Sequence, residues 1–135
     1  MKERLIGSWR LVSYETTDDS GRRGRPYGDA VGRISYDGNG NMTGQVMRPD
    51  RGRVPAGDAR AARAAYLGYI AYFGTYEIAP DGRSVVHHVQ GSLNPGWVGG
   101  DQVRMLRFDG ARLILSTETR KDGTAVRHEL TWERC

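Results

Sequence analysis

Tight turns between short apolar runs constrain the fold of this chain more than any other feature. They occur at Gly38-Asn39-Gly40, Pro80-Asp81-Gly82, Asp109-Gly110 and Lys121-Asp122-Gly123, each between runs rich in β-branched and aromatic residues. Gly and Asp accept the positive φ angles that short hairpin turns require, so each site predicts a β-hairpin. Hairpins that follow one another at this spacing predict an antiparallel meander.

The runs between the turns are the predicted strands. They cover residues 5–17, 31–37, 41–47, 72–79, 83–91, 101–108, 112–118 and 124–132. Residues 22–29 are predicted as a short edge strand or a loop, because Pro26 has no N–H to donate to a ladder. A meander of about eight strands is expected to close on itself, since closure removes the exposed edges. We therefore predict an all-β fold, a closed antiparallel up-and-down β-barrel.

Residues 58–72 break the strand pattern and predict the one short helix of the chain. Asp58 is suited to be its N-cap, and alanine, the strongest helix former, is frequent after it. Apolar side chains recur at helical spacing and are expected to pack against the sheet. This predicted apolar face comprises Ala62, Ala65, Tyr66, Tyr69, Ile70 and Phe73. The helix and the loop around Trp97 are expected to close the two ends of the barrel.

Composition indicates one soluble domain and argues against several classes of partner. At 135 residues the chain is long enough for one core, so residues 1–135 are predicted to form one domain. The net charge of +4 is mild and the arginines are scattered, which argues against nucleic-acid binding. No run approaches the roughly 20 apolar residues of a membrane span, and no signal peptide is recognisable. Cys135 is the only cysteine, so no disulfide framework is expected, and a reducing, cytoplasmic location fits.

Several motifs, in chain order, give the sequence a family resemblance. They are Gly7–Glu15, Gly32–Gly40, Tyr72–Glu77, Val86–Val89, Pro95–Gly99 followed by Gln102–Arg104, and Trp132–Arg134 at the end. With these motifs the chain resembles the bacterial and fungal lipocalin-like domain proteins, which are calycin-type β-barrels. The resemblance implies a barrel in which the early Trp9 packs against the late Arg134. It also implies a small-molecule ligand, and some relatives are thought to act as cyclases or isomerases on natural-product intermediates.

Side chains alternate between the two faces of a strand, and this period predicts which of them face the barrel interior. With Trp9 set inward, the predicted polar residues of the cavity wall are Ser13, Glu15, Tyr36, Tyr76, His87, Arg104 and His128. Of the two adjacent histidines, His87 is assigned inward because it lies between Val85 and Val89, and His88 is assigned to the outer wall. An apolar wall with a few polar groups is typical of a small-molecule pocket.

Three of these residues form the predicted catalytic set, for the case that the barrel is an enzyme. His87 is suited to acid–base catalysis, because histidine titrates near neutral pH. Tyr76, or alternatively Tyr36, is expected to donate to an oxygen that gains charge, and Arg104 to hold a carboxylate or an enolate. An alternative for Arg104 is an ion pair with Glu118 or Glu15. The predicted ligand-binding residues are Ser13, Glu15, Tyr36, Tyr72, Trp97 and His128.

Three functions stay open at this point. The first is binding of a small, partly apolar molecule in the barrel. The second is a cofactor-independent cyclase, isomerase or related lyase that acts on a carbonyl-containing substrate in the same cavity. The third is a protein-interaction module that uses the outer wall. We predict no cofactor and no metal, because adjacent histidines face opposite sides of a strand and no glycine-rich phosphate loop is present. Assembly into a homo-oligomer is left open.

Overall fold

A computed structural model describes all residues, 1–135, and contains nine strands and two α-helices. The strands are β1 (Gly7–Asp18), β2 (Arg23–Gly24), β3 (Val31–Tyr36), β4 (Asn41–Met47), β5 (Tyr69–Ile78), β6 (Ser84–Ser92), β7 (Asp101–Asp109), β8 (Arg112–Lys121) and β9 (Thr124–Arg134). The helices are α1 (Lys2–Leu5) and α2 (Ala59–Leu67), and a 3₁₀ turn spans Pro95–Trp97.

Antiparallel pairing runs around the whole molecule and closes it. From β3 onward each strand pairs with the next one in the chain, and β3 pairs with β1. The last strand, β9, returns to β1 in a ladder that extends from Trp9↔Arg134 to Asp18↔Val126. The short β2 only adds a flank to β1. The predicted closed antiparallel barrel is thus confirmed.

One end of the barrel is covered by α1, which the sequence did not predict. Leu5, expected to begin the first strand, is the last residue of α1 and is fully buried. The indole N–H of Trp9 donates to the Leu5 carbonyl at 2.9 Å. The Arg134 guanidinium lies 4.3 Å from the Trp9 ring centre and donates to the Ile6 carbonyl at 2.8 Å. The predicted Trp9–Arg134 contact is confirmed, and we call this end the floor.

The opposite end, here called the mouth, carries both α2 and the Pro95–Trp97 turn. Tyr72 of β5 pairs with Ser92 of β6, so the segment before β5 and the segment after β6 lie at the same end. The expectation that they close different ends is therefore wrong.

Neither α-helix is long and apolar enough to cross a membrane.

The helix α2 is shorter than predicted and packs differently. It ends before Gly68, because the next residues join β5, where Tyr69 pairs with Met47 and Ile70 with Val46. No residue of α2 is buried, so the expected packing of an apolar face on the sheet is wrong. Polar contacts hold α2 instead: the Tyr27 hydroxyl, for example, donates to the Leu67 carbonyl at 3.0 Å.

A β-bulge in β1 changes which side chains point inward. Leu11 pairs with Trp132, but Ser13 pairs with Thr131, so Val12 is the extra residue. Beyond the bulge the Tyr14 side chain faces the interior. Ser13, which pairs with Thr131, and Glu15, which pairs with Glu129, face the outside of the barrel. The predicted inward positions of Ser13 and Glu15 are therefore wrong, because one inserted residue inverts the face of every side chain that follows.

Candidate ligand-binding site

The barrel encloses a cavity of about 310 Å³ between the buried floor and the mouth. Most of its wall is apolar or aromatic, and this part is formed by Ile34, Val46, Ile70, Trp97, Leu115, Leu130 and Trp132. The polar side chains on the wall are Tyr14, Gln45, Tyr72, His87, Gln102, Arg104, Thr117, Thr119 and His128. The volume falls within the usual range of small-molecule pockets, near its lower limit.

His87, on β6, is held between two tyrosine hydroxyls. Its side chain is only 1% exposed, which confirms the predicted inward orientation. The Tyr36 hydroxyl lies 2.7 Å from Nε2, and the Tyr72 hydroxyl lies 2.7 Å from Nδ1. Burial lowers the pKa of His87 to about 3, and the charge of Arg104 acts in the same direction. The imidazole is therefore neutral near pH 7, with one ring nitrogen that donates and one that accepts.

The burial of Tyr36 decides which ring nitrogen of His87 carries the proton. Tyr36 is 2% exposed, and His87 is the only hydrogen-bond partner of its hydroxyl. If Nε2 carried the proton, the Tyr36 O–H would be buried without an acceptor, at a cost of about 1–3 kcal/mol. The Tyr36 hydroxyl therefore donates to Nε2, and Nδ1–H donates to the Tyr72 oxygen. This leaves the hydroxyl proton of Tyr72, a residue of the cavity wall, free to donate.

A second histidine is held in a similar way across the barrel. His128, on β9, has the Tyr14 hydroxyl 2.8 Å from Nδ1 and the Thr119 hydroxyl 2.9 Å from Nε2. Burial lowers the pKa of His128, and Arg104 adds to this effect. Burial also raises the pKa of Tyr14 to about 12, so its phenol is un-ionised at neutral pH. Both inward histidines are thus neutral and fully hydrogen-bonded within the chain.

Arg104, on β7, is the one charged side chain on the wall of the cavity, since both wall histidines are neutral. Its guanidinium donates to the Gln102 side-chain oxygen at 3.0 Å and to the Val103 carbonyl at 3.0 Å. No carboxylate oxygen lies within 4.0 Å of it. The alternative in which Glu118 or Glu15 neutralises Arg104 is therefore wrong, and Glu15 lies on the outer face of the barrel.

The remaining predicted residues divide between the cavity and its surroundings. Tyr72 and Trp97 both contribute to the wall and meet edge to face, with ring centres 5.9 Å apart. Tyr36 is buried behind His87 and does not itself line the cavity. The Tyr76 hydroxyl donates to the Asp37 carbonyl at 2.6 Å, away from the cavity, so Tyr76 is not brought together with His87 and Arg104 around one point.

His88 lies on the outer wall, as predicted, between two carboxylates. Its Nδ1 is 2.7 Å from Asp101 and its Nε2 is 3.2 Å from Glu77. These hydrogen bonds raise the pKa of His88, with Asp101 the larger contributor. The adjacent histidines therefore have opposite environments, since burial favours the neutral form of one and the carboxylates favour the charged form of the other.

Five polar wall residues were absent from the predicted set: Tyr14, Gln45, Gln102, Thr117 and Thr119. Gln102 lies two residues before Arg104 on the same strand, so the alternation already applied to Arg104 places it inward. Thr119 was placed beyond the end of its strand, which the structure extends to Lys121. Tyr14 faces inward only because of the bulge at Val12, and the residues around Val12 carry no local signal for a bulge.

Comparisons with known proteins agree with this architecture. The family model described as "Lipocalin-like domain" matches residues 6–135. A relative from Aspergillus oryzae (strain ATCC 42149 / RIB 40), the 4'-hydroxy-3'-methoxypropiophenone carrier protein ppsC, is 32% identical in an alignment of 107 positions, which covers 69% of this chain and 96% of the relative. A solved structure of the siderocalin Ex-FABP, which is described as functioning through dual ligand specificities, was also found. The alignment covers 98% of this chain and 71% of the siderocalin chain, at 12% identity. The TM-score is 0.35, so this likeness adds nothing to the fold described above. The chain belongs to the lipocalin-like domain family.

Proposed function

We propose that this protein binds a small, partly apolar molecule inside the barrel and acts as a binding or carrier protein. The observation that carries the proposal is the cavity of about 310 Å³, with an apolar and aromatic wall and a few polar groups. Cavities of this kind bury most of a small ligand and use the polar groups to orient it. The volume favours a molecule built around one aromatic ring with short substituents.

The relative from Aspergillus oryzae supports this ligand class. Its name describes a carrier of an aryl ketone that also has a phenol hydroxyl and a methoxy group. A molecule of that type combines one ring, which suits the aromatic part of the wall at Tyr72 and Trp97, with oxygen acceptors for Arg104 and the Tyr72 hydroxyl. We infer that aryl ketones or related phenolic compounds are the first ligands to test.

The arrangement of polar groups favours binding over cyclase or isomerase chemistry. A general base needs a lone pair that faces the substrate. Nε2 of His87 already accepts from Tyr36, and Nδ1 is occupied by Tyr72. Tyr76, the predicted donor to an oxygen that gains charge, is engaged with a backbone carbonyl outside the cavity. We propose that His87 acts by orienting the tyrosine hydroxyls.

Binding can be measured by the fluorescence of the protein itself. Two of the three tryptophans, Trp97 and Trp132, line the cavity, so a bound aromatic ketone should quench the emission. Titration with 4'-hydroxy-3'-methoxypropiophenone is expected to give a saturable change with one molecule bound per chain. Isothermal titration calorimetry should return the same stoichiometry.

A cavity-filling variant separates binding in the barrel from binding elsewhere. Gly44 lines the cavity, and a Cβ added there would meet Ile34 side-chain atoms at 3.4 and 3.5 Å, which is ordinary contact. Gly44→Leu is therefore expected to keep the fold and to occupy the ligand volume. Thr43→Leu is the matched control, because Thr43 lies next to it on β4 and is exposed. Loss of binding in Gly44→Leu alone supports the proposal; equal binding by both folded variants, or no saturable binding to the wild type, contradicts it.

A further inference from the structure

The polar groups that the cavity offers to a ligand are mainly hydrogen-bond donors. His87 and His128 each use both ring nitrogens within the chain. Gln45 accepts a hydrogen bond from the Tyr69 hydroxyl through its side-chain oxygen. Most side-chain acceptors on the wall are therefore already hydrogen-bonded within the protein, and a ligand can bind only to the polar groups that are still free.

The groups that remain free are donors, apart from the Thr117 hydroxyl, which can donate or accept. Only two of the five N–H groups of Arg104 have acceptors in the chain. Because the oxygen of Gln102 accepts from Arg104, its amide N–H₂ group points away from that bond and has no acceptor in the chain. The Tyr72 hydroxyl proton is left free by the protonation state of His87 described above. The indole N–H of Trp132, on the same wall and 2% exposed, also has no acceptor.

The charge inside the cavity is unbalanced. No Asp or Glu lines it, and no carboxylate lies within ion-pair distance of Arg104. A buried or half-buried guanidinium without a counter-ion is costly, and a ligand with negative charge removes that cost. Residues 48–63, which lead into α2 at the mouth, also carry an excess of positive charge, because they contain five arginines and two aspartates. Such a segment attracts anions toward the opening.

We propose that the ligand is a small aromatic molecule with an ionised oxygen, which pairs with Arg104 and accepts a hydrogen bond from the Tyr72 hydroxyl. A carboxylate, a phenolate and an enolate share this chemistry. The inference rests on the proposed function, since it assigns the ligand class of the same cavity. Tyr36 and His87 are positioning residues in this arrangement: they fix the direction in which Tyr72 donates.

Two probes of equal shape test the charge preference. Hydrocinnamate carries a carboxylate, and benzylacetone replaces one of its oxygens by a methyl group while it keeps a neutral carbonyl. The wild type is expected to bind hydrocinnamate about tenfold more tightly, the factor typical of one charge-assisted hydrogen bond. Arg104→Gln should lose this preference and still bind benzylacetone. Arg107→Gln, on the outer face of the same strand, should keep the wild-type ratio.

The outcomes separate this inference from the proposed function. Equal affinity of the wild type for both probes overturns the anion inference and leaves small-molecule binding intact. Failure of both probes to bind contradicts the proposed function itself. A measurement on the wild type alone guards against a misfolded Arg104 variant: bound para-nitrophenol should ionise more readily than the free phenol, which is seen as increased phenolate absorbance. Unchanged or decreased absorbance on binding overturns the inference.

The direction of the Tyr72 hydrogen bond has its own test. The ¹⁵N chemical shifts of the His87 ring should identify Nδ1 as protonated and Nε2 as unprotonated in the wild type. The reverse assignment would remove Tyr72 as a donor to the ligand. If Tyr72 is the donor, Tyr72→Phe should weaken hydrocinnamate binding more than benzylacetone binding, because the hydrogen bond to a charged oxygen is the stronger one.

Discussion

Acidification is expected to destabilise this protein through one residue, His87. Its folded-state pKa is lowered from 6.5 to about 3, chiefly by burial. Below the ordinary pKa the unfolded chain binds a proton that the folded protein does not bind, so the free energy of unfolding decreases as the pH decreases. The contribution of His87 is complete above the unfolded-state pKa of 6.5 and is lost progressively as the pH approaches the folded-state value of about 3.

The size of the effect follows from the same two values. At about pH 4.5 the unfolded-state histidine lies roughly two units below its pKa, and each unit is worth about 1.4 kcal/mol, so about 3 kcal/mol is lost relative to neutral pH. His128, whose pKa is also lowered, adds to the loss, whereas His88, whose pKa is raised, opposes it. A comparison with His87→Gln isolates the contribution of His87, because glutamine does not titrate and still offers an acceptor and a donor to the two tyrosines.

Urea unfolding at both pH values, followed by tryptophan fluorescence and far-ultraviolet circular dichroism, measures the free energies. His87→Gln is expected to be less stable than the wild type at neutral pH, and the gap should shrink by about 3 kcal/mol at about pH 4.5. Parallel pH dependences of the wild type and the variant would refute the reasoning. So would a His87 ring signal in the NMR spectrum that titrates near the ordinary histidine pKa.

Other predictions concern the barrel frame and its outer wall. Gly74→Ala should destabilise the protein by about 4 kcal/mol or prevent folding, because a Cβ there would lie 1.8 Å from a carbonyl oxygen of the neighbouring strand. The control is Gly52→Ala, whose added Cβ meets nothing within 4 Å, and it should change stability by less than about 0.5 kcal/mol in the same urea assay. Arg134→Met should lower the free energy of unfolding by about 1–2 kcal/mol, since it removes both the contact with the Trp9 ring and the hydrogen bonds to the carbonyls of Arg4 and Ile6. Asp101→Asn should move the raised pKa of His88 back toward the ordinary histidine value in an NMR titration, and an unchanged pKa would show that Asp101 is not its main cause.

The features that sequence could predict are those that short-range geometry determines. Turn residues such as Asp109-Gly110 specify a hairpin by themselves, and successive hairpins leave few arrangements other than a meander. The inward position of His87 follows from its valine neighbours because its strand is regular around it. The period of two is reliable wherever no residue is inserted.

The features that sequence missed depend on partners distant in the chain. The bulge at Val12 lies in the pairing of β1 with β9, more than a hundred residues away, and neither strand shows it locally. Helical spacing continued through Tyr69 and Ile70, but pairing with β4 overrides that preference. The direction in which Tyr72 donates requires knowledge that Tyr36 is buried behind His87, which only the closed barrel defines.

The floor formed by α1 also shapes the kinetics of binding. Because one end of the barrel is covered, a bound molecule leaves by the opening through which it entered. The helix α2 contributes no residue to the cavity wall. A larger side chain on α2 that only narrows the opening therefore raises the free-energy barrier for entry and the barrier for exit by the same amount. Association and dissociation then slow by one common factor while the dissociation constant is unchanged. Residence time and affinity can therefore be adjusted separately in this barrel, the first at the mouth and the second on the wall.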